Sequence, residues 1–310
     1  MNIYRSLEEF RTLDKPVVTL GTFDGVHFGH RKIIQRLLEV AHTIEGETVV
    51  LTFFPHPRMI LHPEADQPKM INTLDEKMDL LKKAGVQHLI VIPFTRDFSN
   101  LTSSEFIEDI LVKKIGTKKL VIGYDHRFGK DREGSFEHLK MYGPQYGFDV
   151  EEIPEQDVND VAVSSTKIRE ALIKGDIATA NKFLGYNFCL SGKVVKGDQI
   201  GRTIGFPTAN LYVEEGYKLV PADGIYAVKV HIEDDIFGGM LYIGHRPTIN
   251  GMTHNIEVNI FDFDTDIYGE VISLEFLEYL RDDEKFNGLD ALTTQLKLDE
   301  INARKILQQI

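Results

Sequence analysis

Two histidines three residues apart, His27 and His30, enclose Gly29 in the stretch "VVTLGTFDGVHFGHRKII". A helix that starts near Phe28 brings both rings to its N-terminus, where free backbone N–H groups and partial positive charge suit a phosphate. Gly21, Gly25 and Gly29 permit positive φ angles and let a bulky anion approach the backbone. Two imidazoles, a helix end and bare glycines make a triphosphate cradle. The plainer alternative is that His27 caps the helix and His30 packs on its polar side. A metal centre is disfavoured, because the sequence places no third histidine or carboxylate to complete one.

Three further groups carry chemistry. In "VSSTKIREAL", Val163 to Leu172, Ser164, Ser165 and Thr166 cap a helix whose first turns hold Lys167 and Arg169, so hydroxyl and cationic donors meet at a helix end. In "GRTIGFPTANL", Gly201 and Gly205 loosen a loop, Arg202 supplies positive charge, and Pro207 stiffens the turn before Thr208 and Asn210. The oxygens of Thr208 and Asn210 fall on one side at strand spacing. Two neutral oxygens hold Mg²⁺ only when ATP phosphates complete the octahedron. In "NIEVNIFDF", Ile256, Val258 and Ile260 take one strand face, and Glu257 takes the other with Asn259. That carboxylate is either a general base or an ordinary solvated group.

The elements that must position these residues fall into two textures. Up to about residue 184, short apolar runs alternate with helical periods. The strands expected are Val17 to Leu20, Thr48 to Phe53, His88 to Pro93, Lys119 to Ile122 and Phe148 to Ile153. Helical segments lie between them, with Thr73 and Thr102 as N-caps and Gly85 and Gly116 as stops. This pattern predicts an open parallel sheet with crossover helices, whose polar loops converge at the carboxyl ends of the strands. A single helix is expected over Thr166 to Phe183. From about residue 187 the pattern turns to Val, Ile, Phe and Tyr at period two, broken by Gly and Asp. That texture predicts an antiparallel sheet or small barrel, closed by a helix over Leu289 to Gln309.

Composition limits the function. The 310 residues are 42% hydrophobic and 27% charged, enough for a substantial core and suggestive of two domains. A net charge of −13 disfavours nucleic-acid binding, so any phosphate must be held locally. The lone Cys189 supports no disulfide framework. No apolar run approaches a membrane span, and the first ten residues lack a signal-like core, so a cytoplasmic protein is expected. Oligomeric state is not encoded in any of these patterns.

The order "GTFDGVHFGH", "FFPHP", "GYDHRFGKDREG", "SSTKIR" resembles the adenylyltransferase half of the bacterial bifunctional riboflavin kinase/FAD synthetases, which are nucleotidyltransferases with a His-x-Gly-His motif. The resemblance implies a Rossmann-like α/β domain over residues 1–184. It also implies transfer of AMP from ATP to the phosphate of FMN, with pyrophosphate leaving. Gly21, Phe23, His27, His30, Ser165 and Arg169 would bind ATP, the two histidines acting catalytically. Asp24, Phe54, Pro55, Asp125, Arg127 and Phe128 would contact flavin.

The blocks "GRTIGFPTANL", "PADGIYAV", "IGHRPTINGMTHNIEVNIFDFDTDIYG" and "YLRDDEKFNGLDALTTQLKLD" are similar, in order, to the riboflavin kinase module. They imply a six-stranded Greek-key barrel with a C-terminal helix over residues 185–310, phosphorylating riboflavin to FMN with ATP. Glu257 matches the family's catalytic glutamate, and Asn259 stands where relatives often have His. Gly201, Arg202, Gly205, Pro207, Thr208 and Asn210 would hold ATP and Mg²⁺, the metal on Thr208 and Asn210. Arg281 and Phe286 would lie near the flavin ring.

Overall fold

Val17 and Val18 are both fully buried, yet they serve two different cores on opposite faces of one strand. That double burial is the mark of a parallel sheet covered on both sides. The protein is described here by a computed structural model covering residues 1–62, 69–124, 126–154, 163–197, 199–248 and 251–309. It forms two compact units, Met1–Ser165 and Thr166–Ile310.

The first unit holds six strands: β1 (Asn2–Tyr4), β2 (Pro16–Leu20), β3 (Glu47–Phe54), β4 (His88–Pro93), β5 (Lys119–Gly123) and β6 (Asp149–Ile153). They pair in parallel in the order β1-β4-β3-β2-β5-β6. Five of these strands match the expected ones. The short edge strand β1 was not anticipated, because three residues show no periodicity of their own. Helices α1 (Phe28–Ile44) and α2 (Leu74–Lys83) cover one face through Ile34, Leu37, Met78 and Leu81. A π-helix over Phe106–Ile115 and α3 (Phe136–Tyr146) cover the other through Phe106, Leu111 and Leu139.

The expected caps are present. Thr73 and Thr102 each form a capping box, with Glu76 and Glu105. Gly85 and Gly116 take positive φ at the helix ends. The strand order reverses its sense at β2 and β5, so the loops leaving those two strands flank the crevice where such sheets bind ligands.

The second unit opens with two helices, α4 (Ser165–Ile173) and α5 (Ile177–Leu184), where one was expected. The break has a local cause. Gly175 takes φ 74°, and the side chain of Asp176 accepts the Thr179 N–H at 3.0 Å, starting a new helix. Asn181 on α5 fastens this pair to the barrel, donating to the Phe276 carbonyl (2.9 Å) and accepting the Phe188 N–H (2.8 Å).

The barrel strands are β7 (Cys189–Val195), β8 (Ala209–Tyr212), β9 (Gly224–Ile232), β10 (Asp235–Thr248), β11 (Gly251–Ile260) and β12 (Val271–Arg281). They close antiparallel in the cyclic order β10-β11-β8-β7-β12-β9. Inside, Tyr226 and Phe188 pack edge-on to Phe276 at ring separations of 5.1 and 5.4 Å. Helix α6 (Leu289–Leu307) lies on the outer face, burying Ala303 against Ala227, Met240 and Phe261. Asp299 of α6, 2% exposed, takes three hydrogen bonds of 2.8 to 3.2 Å from the Arg281 guanidinium, pinning the helix to the end of β12.

Candidate functional sites

β2 ends at Leu20, and the chain then turns sharply. Phe23 (φ 47°), Gly25 (φ 88°) and Val26 (φ 36°) all take left-handed backbone angles. Of the three glycines whose sequence permits positive φ, one uses it. Gly25 alone takes it, Gly29 lies inside α1, and Gly21 lies under the Phe23 ring, where a Cβ would come within 3.3 Å. An aromatic and a β-branched residue hold such angles only where the surroundings impose them.

The imposing contacts come from below the loop. Asp24, 2% exposed, accepts the Ile71 N–H at 3.0 Å through Oδ1, and its carbonyl accepts the Ser165 hydroxyl at 2.8 Å. The Thr22 carbonyl accepts both the Thr52 hydroxyl (3.2 Å) and the Lys77 ammonium (2.8 Å).

His27 is the N-cap of α1, its Nδ1 accepting the His30 N–H at 3.4 Å. Its ring stacks on that of His30, centroids 3.7 Å apart and 13° from parallel. The capping alternative is thus realised, and it is what brings the rings together. Burial, aided by His27 and the Lys77 charge, holds the His30 pKa well below the ordinary imidazole value. His30 is therefore neutral at physiological pH, and its buried Nδ1 has no hydrogen-bond partner.

Gly21, Phe23, Asp24, His27, His30 and Ser165 thus gather around one turn. Asp24 points inward to the 71–72 backbone. Phe54 and Pro55, joined by a cis peptide, lie at the carboxyl end of β3. In the loop after β5, Arg127 is exposed, while Phe128 is 7% exposed and packs on Phe106 inside the core. Asp125 lies outside the described residues. Arg169 follows Ser165 by one turn on α4.

Two residues of this unit were not singled out from sequence. Lys77 is 6% exposed, and its burial lowers its pKa to about 8 against the pull of Asp24. His126 is half-buried beside Phe128, pushed down to about 4 by desolvation and Arg132, with its buried Nε2 unpartnered.

In the barrel, strand register builds the second site. Tyr242 of β10 lies opposite Glu257 of β11, and Glu257 opposite Asn210 of β8. The neighbouring row, Leu241, Val258 and Ala209, turns to the other face, with Leu241 and Val258 fully buried, so the Glu257 row faces away from the barrel core.

Thr208 donates its hydroxyl proton to Glu257 Oε2 at 2.9 Å, and Asn255 donates to Oε1 at 2.6 Å. Asn259 donates to the Pro207 carbonyl at 2.7 Å, tying the Pro turn to β11. Glycines shape the approach. A Cβ at Gly197 would strike the Asn210 amide, one at Gly201 would strike the Phe206 carbonyl, and Gly205 takes φ 84°. Arg202 lies in the short helix Ile200–Thr203 of that loop. Thr208 spends its proton on Glu257, which leaves its oxygen lone pairs for another partner. With the Asn210 amide oxygen it makes a neutral pair that fits Mg²⁺ beside phosphate. The Arg281 guanidinium lies 5.6 Å from the Phe286 ring, as well as on Asp299.

A parallel sheet with a tight turn after β2, and a closed barrel with a carboxylate beside neutral oxygens, are two modules that comparison with known families identifies as those of an ATP-using transferase. Residues 10–167 match the family model described as FAD synthetase, and residues 184–307 the one described as riboflavin kinase. The chain is 39% identical over 290 residues to the bifunctional riboflavin kinase/FMN adenylyltransferase of Escherichia coli, covering 93% of this chain and 92% of that one. It is 37% identical to that of Listeria monocytogenes, with 98% and 96% covered. A crystal structure described as a macrolide-efflux protein from Streptococcus pneumoniae superposes with a TM-score of 0.89 at 36% identity, covering 97% of this chain and 98% of that one. The chain belongs to the bifunctional riboflavin kinase/FMN adenylyltransferase family. It phosphorylates riboflavin to FMN and adenylylates FMN to FAD, using ATP.

Proposed function

We propose that residues 1–184 perform the adenylyl transfer around the Gly21–His30 turn and that residues 185–310 perform the phosphorylation at Glu257. One observation supports the kinase assignment most: Glu257 is held by Thr208 at 2.9 Å, with Asn210 opposite in register. The 5′-hydroxyl of riboflavin is neutral and needs a base to become a nucleophile, and Glu257 supplies a carboxylate already oriented by two donors. Mg²⁺ bound with ATP would be held by Thr208 and Asn210, where it would neutralise charge on the transferring phosphoryl group. Gly201, Arg202, Gly205 and Pro207 shape the loop that covers the nucleotide. Arg281 and Phe286 border the flavin.

The FMN phosphate differs in kind. With a second pKa near about 6 it is already an anion at neutral pH, so adenylyl transfer asks for positioning and charge neutralisation rather than a base. His27 and His30 present donors at the α1 N-terminus. Gly21 and Phe23 line the turn, and Ser165 and Arg169 complete the phosphate ligands. Phe54, Pro55, Arg127 and, on sequence grounds, Asp24, Asp125 and Phe128 serve the flavin side. The −13 net charge supports an enzyme of small molecules rather than a nucleic-acid binder. Separating the flavins after incubation with riboflavin, ATP and Mg²⁺ tests the whole reading. FMN must appear before FAD, and omission of Mg²⁺ must stop both.

A further inference from the structure

Lys77 is a cation in a place where cations are costly. It is 6% exposed, and its one hydrogen bond among the described residues goes to the Thr22 carbonyl at 2.8 Å. An ammonium has three N–H donors, so two remain for another acceptor. A buried charge so incompletely paired is tolerated only where its site provides a compensating anion. Asp24 supplies part of it, but its Oδ1 already receives the Ile71 and Asn72 N–H groups, at 3.0 and 3.5 Å.

The charge of Lys77 also bears on His30, whose buried Nδ1 has no partner. Two under-satisfied buried groups therefore neighbour the N-terminus of a 17-residue helix. A phosphoryl oxygen satisfies the cation, the helix end and a neutral imidazole N–H at once. A carboxylate carries less charge over fewer oxygens and meets this set less fully.

We propose that Lys77 Nζ is a phosphate-binding group of the adenylyltransferase site, donating to a phosphoryl oxygen that it shares with His30. The proposal rests on the reading that places phosphates at the Gly21–His30 turn. The oxygen belongs either to the ATP triphosphate or to the FMN phosphate.

The test uses the full chain, supplied with FMN and no riboflavin so that the kinase is idle. Lys77→Met removes the charge at similar volume; because it leaves the buried Asp24 without its cation, its folding is checked by its melting temperature and by its retained riboflavin kinase activity. Lys77→Gln keeps a neutral donor for the Thr22 carbonyl. Both variants are expected to raise the KM of one substrate tenfold or more, leaving the other within twofold. A rise for ATP assigns the oxygen to the triphosphate, and a rise for FMN assigns it to the flavin phosphate. Parental kinetics in Lys77→Gln would reduce the lysine to a tether of Thr22 and overturn the proposal, as would parental kinetics in Lys77→Met. His30→Ala in the same assay separates the two levels. A loss there with none at Lys77 overturns the lysine alone, and a loss at neither removes phosphates from the turn.

Discussion

His27 and His30 share one hydrogen bond and one stacking contact: the cap nitrogen of the first accepts the backbone N–H of the second at 3.4 Å, and their rings lie 3.7 Å apart. Two charged imidazoles would repel at that distance, so the pair works with His30 neutral. Replacing His30 by Ala is expected to lower FAD formation by an order of magnitude or more, since a lost charge-stabilising donor costs about 2.7–4 kcal/mol. His27→Ala should do the same and also lower thermal stability, because a lost cap costs about 1 kcal/mol. FMN formation from riboflavin is the internal control and should not change.

His126 gives the first unit an acid sensitivity. Its pKa is lowered from 6.5 to about 4 in the fold, so the native state binds fewer protons than the unfolded chain between those values. Stability is then fully present above pH 6.5 and falls as pH drops towards 4, by about 3 kcal/mol from this group. Denaturant melts from pH 7 to 4 should show a shallower decline for His126→Phe than for the parent. Equal slopes would mean that the ring is protonated or solvated in the native protein.

Glu257→Gln keeps side-chain size but removes the basic oxygen. Riboflavin phosphorylation should fall by about 10²–10⁴-fold while riboflavin still quenches on binding. Thr208→Ala acts differently. It should weaken the Mg²⁺–nucleotide complex, and raised Mg²⁺ should recover part of the rate. A Glu257→Gln variant turning over at the parental rate would remove the residue from the mechanism.

Fragments test the proposed division. Residues 1–184 should still make FAD from FMN, and residues 185–310 should make FMN from riboflavin. Asn181 bonds to Phe188 and Phe276, and the Ala222 N–H donates to the Leu172 carbonyl at 3.0 Å, so a kinase fragment beginning at 163 should melt higher than one beginning at 185. Equal melting temperatures would show that α4 and α5 contribute nothing to the barrel.

Much of this was legible because periodicity reports burial. Val17 to Leu20 and Ile256 to Ile260 read correctly as strands, and the alternation of Ile256, Val258 and Ile260 put Glu257 on the right face. Lys77 escaped notice although a signal existed. Leu74, Lys77, Met78 and Leu81 fall at i, i+3, i+4 and i+7, so the lysine occupies the apolar stripe of α2. A charged residue inside such a stripe looks like an ordinary helix surface until its neighbours are known. The division of Thr166 to Phe183 was also missed, since a Gly-Asp pair within helical spacing is often tolerated. Phe23 and Val26 could not be foreseen as left-handed, because the contacts that impose it come from residues 30 to 141 positions away.

β8 meets β11 at two residue pairs, Asn210 with Glu257 and Ala209 with Val258. On that side the strand has few rungs, and a slide of one residue would turn Asn210 to the core face and leave Glu257 opposite an alanine or a leucine. What resists it is the three-pair ladder to β7, the Pro207 carbonyl on Asn259 and the glycine-bounded loop that feeds the strand. The number of residues between Gly201 and Thr208 is therefore a setting of the enzyme in its own right. Substitutions along that loop can be absorbed one at a time, whereas inserting or deleting a single residue re-indexes Thr208 and Asn210 against Glu257.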